Sequence, residues 1–118
     1  MAPASKLLVI NSAALPEIIT LAETIEIVDQ AMRELSAGLV AAPERTVMAV
    51  NAGTRLGLMP GAMPSLSRFG VKVVSLSADA ESFGLPSHQG LMLLFDSGTG
   101  QPLAALDCHA LTRMRTAA

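Results

Sequence analysis

The chain has 118 residues, 51% of them hydrophobic and 15% charged, where an average soluble domain carries about 25% charged residues. That length allows one domain with a real core, and the apolar content excludes an intrinsically disordered chain. The net charge is −2, with no basic run to mark a nucleic-acid-binding domain, and the apolar stretches fall far short of the ~20 residues a membrane-spanning helix needs.

Met1 to Lys6 lacks a long apolar segment behind it, so no secretory leader is expected. The run Lys6–Ile10 reads as a strand, with Ser12 as a candidate cap for a helical turn over 13–18; Pro16 falls early in that turn, where its missing N–H is harmless. Thr20 and Glu23 fit a capping box. Leu21, Ile25, Val28, Met32 and Leu35 then recur at helical spacing, and Gly38 is the natural stop, so a long helix is predicted over about 21–37.

After Pro43 the texture changes to strands. Residues 45–50 and 55–59 form a hairpin around Asn51–Thr54, and 59–64, with two prolines bracketing a glycine, is expected to be irregular. Gly70–Ser75 is a further strand with Lys72 inside it, and 77–88 is a loop. Residues 90–96 are the most apolar segment and read as a central strand, turned by Ser97–Gly100 onto a partner over 101–106. Pro102 belongs at an edge or an unpaired position. Asp107 or a neighbour caps a final helix from about 109 that runs into the last residue with no stop signal, as if cut short. Strands dominate after residue 45 without alternating with helices. The expected fold is therefore α+β: a mixed, mostly antiparallel sheet packed with the long N-terminal helix, and not a doubly wound one.

No dinucleotide fingerprint, P-loop, nucleophile elbow or metal-binding helix is present. One cysteine, Cys108, excludes an internal disulfide framework and fits a reducing cytoplasm; with His88 and His109 it offers no metal-ligand spacing. Adjacent Cys108 and His109 diverge on a helix, so they make no nucleophile–base pair. The informative residues are cations without local acidic partners. Lys72 lies between Val71 and Val73 and either faces solvent or needs an anion, for which a carboxylate is a candidate. Arg45 opens a strand, and Arg115 sits on the last helix with Leu111 where an acid would pair with it. The three either solvate separately or converge on one carboxylate. His88 is a structural hydrogen-bonder or a participant in chemistry, and both readings stay open.

Taken together, Arg45-Thr46-Val47, Leu58-Met59-Pro60, Gly70 to Val74, Leu85-Pro86-Ser87-His88-Gln89-Gly90, Leu93 to Asp96, Gly100 to Ala104, Leu111-Thr112 and Arg115 to Ala118 resemble, in this order, the N-terminal part of the ornithine cyclodeaminase/μ-crystallin family. The resemblance implies a single substrate-binding and dimerisation domain over 1–118, truncated relative to a family whose members add a Rossmann domain for NAD or NADP. It implies that Arg45, Lys72 and Arg115 bind a substrate carboxylate and that Met59 lines the pocket. The family's catalytic aspartate and nucleotide loop match nothing here, so no catalytic residue is assigned and no tight cofactor binding or turnover by this chain alone is expected. Where cyclodeaminases proper carry a glutamate before Leu-Met-Pro, this chain has Gly57, which leaves reductases and dehydrogenases of amino or imino acids equally good fits. The implied partners are a small amino or imino acid and a second copy in a homodimer, in the cytoplasm. The alternative is a non-enzymatic module that binds small carboxylates or pairs subunits.

Overall fold

A computed structural model describes residues 6–117. Residues 1–5, part of the segment read above as carrying no leader, and Ala118, the end of the last matching motif, lie outside the described residues. The elements are β1 (Leu8–Ile10), α1 (Leu15–Ile18), α2 (Leu21–Ser36), β2 (Thr46–Ala49), β3 (Thr54–Met63), β4 (Arg68–Ser77), β5 (His88–Asp96), β6 (Pro102–Asp107) and α3 (Cys108–Ala117), with one-turn 3-10 helices at Pro64–Leu66 and Ala80–Phe83. The six strands form one sheet in the order β1-β6-β5-β4-β3-β2. Every neighbouring pair is antiparallel except β1 with β6, so the sheet is mixed, as expected, and β5 lies in its interior.

The expectation of an irregular stretch over 59–64 is overturned: β3 continues through Met63, pairing Met59 with Lys72 and Pro60 with Val71. The reason lies in which edge Pro60 addresses. Ala62 exchanges both backbone hydrogen bonds with Ala41, at 2.8 and 3.0 Å, so its N–H points away from β4. Pro60, two residues earlier, has the same orientation, and pairing with β2 has already stopped at Leu58. The proline therefore removes a donor that no strand needs. Pro102 follows the same logic at the start of β6, beyond the reach of β1 and beside a register shift at Leu94/Phe95.

The long helix forms where its signals place it. Thr20 and Glu23 complete both halves of the capping box, at 3.1 Å each, and Gly38 takes φ +74° beyond the last turn. Its packing differs from the expectation. The α2 helix leans on α3 and not on the sheet, and Leu21, Ile25, Met32 and Leu35 of its apolar stripe stay exposed. The proposed cap Ser12 also does other work. Its hydroxyl donates to Asp107 Oδ1 at 2.8 Å and accepts the Ala110 N–H at 3.3 Å, while Ala14 precedes α1 without a side-chain cap. Asp107 Oδ1 also accepts the His109 N–H at 2.9 Å, so Ser12 and Asp107 together close the start of α3.

Register sorts the strand residues onto two faces. One carries Lys72, His88, Arg68 and Asp96, and α3 packs over it. The other carries Leu58, Val71, Val73, Leu91, Leu93 and Phe95, and among the described residues no helix packs over it. Phe69 and Phe95 stack there with ring centroids 5.0 Å apart. The internal core is thin: Leu15, Val74, Ala80, Ala104, Ala105, Cys108 and Ala110 are buried, and among the described residues no large side chain is fully enclosed. The accessible surface of 8344 Å² exceeds the roughly 6,100 Å² expected of a compact monomer of this mass.

Asp107 gives a stability prediction. The His109 N–H, then the Ser12 hydroxyl, hold its carboxyl below the usual carboxylate range. A lowered folded pKa contributes stability that is complete above the unfolded value of about 3.9 and is lost as pH falls through the folded value. Asp107→Ala should cost about 1 kcal/mol at pH 7 in urea unfolding. The loss should shrink below pH 4, and a cost that stays constant into acid would contradict the assignment.

Candidate functional site

The site begins as a three-by-three block of side-chain positions on one sheet face. Register aligns Gly57, Val74 and Gly90 in one row, Met59, Lys72 and Met92 in the next, and Gly61, Gly70 and Leu94 in the third. Lys72 is the centre, with a methionine on each side and glycine at four of the surrounding positions. Two of these glycines are required by close backbone approach. A Cβ on Gly70 would lie 2.4 Å from the Leu93 carbonyl oxygen, and one on Gly90 2.4 Å from that of Val73. The surroundings of Lys72 are thus largely bare backbone, which leaves a hollow around the ammonium.

The α3 helix roofs that hollow. Cys108, Leu111, Thr112 and Arg115 fall at i, i+3, i+4 and i+7, so they share one helical face. With Met59, Lys72 and Met92 they line a cavity of about 220 Å³. Lys72 Nζ donates to Thr112 Oγ1 at 3.3 Å. The ion pairs among the described residues are Arg33–Asp29 and Arg68–Asp96, so neither Lys72 nor Arg115 is neutralised by an acid there. No carboxylate lines the cavity. Burial pushes the Cys108 thiol up, against a smaller opposing pull from Lys72. It therefore stays a neutral thiol near pH 7 and serves as a small packing group, consistent with its expected lack of a nucleophilic role. Two cations, a hydroxyl and apolar walls suit one carboxylate attached to a compact organic body.

Lys72, Arg115 and Met59 thus meet in one cavity. Arg45 is not among its lining residues. It precedes β2 and is exposed; continued past Thr46–Leu58, the β2–β3 register would set it opposite Met59, at the end of the Lys72 row. His88 opens β5 two residues before Gly90, with Ser87 Oγ 3.0 Å from its Nδ1. It lines a neighbouring cavity. Thr112 and Met92 were not singled out from sequence. The signal for Thr112 was the helical spacing from Cys108 to Arg115; that for Met92 was its register with Lys72, which a single sequence does not give. At Gly57, a Cβ would come within 2.9 Å of Val74 Cγ1, so Val74 already occupies the space that a longer side chain there would need.

Among the described residues there is no glycine-rich strand-to-helix turn of the kind that holds a nicotinamide dinucleotide. Such a cofactor needs a glycine-rich turn leading from a strand into a helix N-terminus, within a parallel βαβ unit. Here Gly57, Gly61, Gly70 and Gly90 lie inside antiparallel strands, and Gly98 and Gly100 lie in a hairpin.

Fold and cavity together define an α+β module with a cationic cavity under its last helix, and comparison with known proteins gives its kinship. The model of the ornithine cyclodeaminase/mu-crystallin family matches residues 6–118, and the chain belongs to that family. It is 31% identical over 113 residues to a Δ(1)-pyrroline-2-carboxylate reductase of Bacillus cereus, covering 95% of this chain and 35% of the relative. It is 37% identical over 82 residues to the mouse ketimine reductase mu-crystallin, covering 69% and 26%. Among solved structures, that of Thermococcus litoralis Δ(1)-pyrroline-2-carboxylate reductase in complex with NADH and L-proline superposes with a TM-score of 0.86 at 35% identity, over 93% of this chain and 34% of that one. The chain spans about a third or less of the length of these relatives.

The bare floor is testable. Gly70→Ala should destabilise the chain by about 2 kcal/mol in chemical denaturation, because the obstacle is a neighbouring backbone and not a mobile side chain. A change under about 0.5 kcal/mol would mean that the two strands are not held this closely.

Proposed function

We propose that this chain is the substrate-binding and subunit-pairing part of an NAD(P)-dependent enzyme acting on α-amino or α-imino acids. The observation that carries the reading is the convergence of Lys72 and Arg115 on one acid-free cavity beside Met59. In this reading the guanidinium and ammonium hold the substrate carboxylate. The Thr112 hydroxyl orients the ammonium, and Met59 and Met92 shape the space for the α-carbon and its substituents. Arg45 joins from the end of the same row when substrate draws its segment inward. Fixing the carboxylate would fix the position of the α-carbon, which is the requirement that hydride transfer or deamination places on this part of the protein. The nicotinamide would supply the hydride chemistry. The chain's own residues supply binding and orientation, so no turnover with NAD(P)H is expected from these 118 residues alone.

Subunit pairing rests on the other sheet face. Its uncovered block of Leu58, Val71, Val73, Leu91, Leu93 and Phe95 is apolar, contiguous and free of charge, unlike the surface of a settled monomer. A second copy meeting this face would form a homodimer whose carboxylate sites face outward from the junction.

Titration calorimetry of the purified chain with L-proline should give a measurable affinity. Lys72→Met and Arg115→Gln should each weaken it at least about tenfold. Lys72→Met should leave the melting temperature unchanged or raised, because it removes an uncompensated ammonium from a half-buried place. Retained affinity in both variants would contradict the reading. Sedimentation should show a dimer at tens of micromolar that Leu91→Glu dissociates; a wild-type monomer under those conditions would remove the pairing role.

A further inference from the structure

We propose that a second anion subsite adjoins the carboxylate cavity, and that the ligand is a short dicarboxylate whose far carboxylate lies among His88, His109 and Arg113. The inference rests on the carboxylate reading above and extends it to the rest of the ligand. Beside the cavity of about 220 Å³ lies a smaller one of about 130 Å³. The two share Lys72, Cys108 and Thr112, so they are separated by little more than one side chain. The smaller cavity has room for a group of a few heavy atoms, since a water molecule occupies about 30 Å³ in the liquid.

Its chemistry is one-sided. Lys72, His88, His109 and Arg113 line it, and no acid does. The acid next to it along the chain is Asp107, whose Oδ1 is already engaged by Ser12 Oγ at 2.8 Å and the His109 N–H at 2.9 Å. Ser87 Oγ occupies Nδ1 of His88, which leaves Nε2 without a protein partner among the described residues. Arg113 makes no ion pair among them either. His88, His109 and Arg113 are exposed at its rim, where a neutral substituent would leave them to water and a carboxylate would accept from several at once. Because Lys72 belongs to both cavities, the two carboxylates must be close, as in a four-carbon diacid.

The competing direction is the apolar cavity of about 330 Å³ on the opposite side, which shares Met59 and Met92 with the carboxylate cavity. Its one cation, Arg68, is engaged by Asp96 at 3.0 Å. That cavity would favour a long apolar substituent and so gives the alternative to exclude.

Calorimetry of the purified chain with propionate, succinate, hexanoate and inorganic phosphate separates these cases. Succinate should bind about tenfold tighter than propionate. His88→Gln and Arg113→Gln should erase that preference while leaving propionate binding in place. Arg33→Gln, which removes a distant charge on α2, should leave the preference intact. Equal affinities for succinate and propionate, or tighter binding of hexanoate, would overturn the second subsite alone. So would an Arg33→Gln effect as large as that of Arg113→Gln, whereas phosphate that weakens succinate but not propionate would support it. Silence from all three carboxylates would take the carboxylate reading down with it.

Discussion

Withdrawing an ammonium from water costs several kcal/mol unless charge or hydrogen bonds answer it, and Lys72 is half-buried between sheet and helix with one neutral hydroxyl in reach. The features around it follow from tolerating that group. Glycines at four neighbouring positions keep the space above the sheet open. Small residues at Ala104 and Cys108 let α3 approach closely enough to bring Thr112 and Arg115 over the hollow. Ser12 and Asp107 anchor the start of that helix, so the roof is held from β1's side of the sheet as well as from β6.

The cost appears in the core. A sheet with bare backbone on one face has little to bury there, and no helix of the described residues covers the other. Part of the apolar excess is exposed on the stripe of α2 and at Leu91 and Phe69 on the helix-free sheet face, and part on β1 and the loops, as at Leu8, Val9, Leu39 and Phe83. The radius of gyration of 15.7 Å, against about 13.5 Å for a compact chain of this length, reflects the same openness. The chain belongs to a family whose matched relatives are about three times as long.

Much of this was legible in the sequence, in proportion to how local each signal is. The capping box at Thr20, the stop at Gly38, the hairpin around Asn51 and the cap at Asp107 depend on neighbours within a few residues, and they form where they were read. Pro60 was misjudged because its harmlessness depends on where β2 ends, which is not a property of its own segment. The stripe on α2 correctly marked a helix but not what it packs on, since periodicity gives a face and not a partner. For the site, the acid-free setting of Lys72 and Arg115 was readable, but their meeting was not. The family resemblance suggested it, and register together with the α3 face supplies the geometry. Arg45 shows the limit: it was read as a third cation in the cluster, and it lies outside the cavity's lining.

The direction in which Pro60 faces has one more consequence. Where β2 stops, β3 would otherwise offer its outer edge to any extended segment that drifted past. Ala41 already occupies the partners of Ala62, and the proline presents no donor between Leu58 and that bridge. A stray strand could not zip along this stretch of β3, so the part of the sheet left bare where β2 ends does not template further pairing.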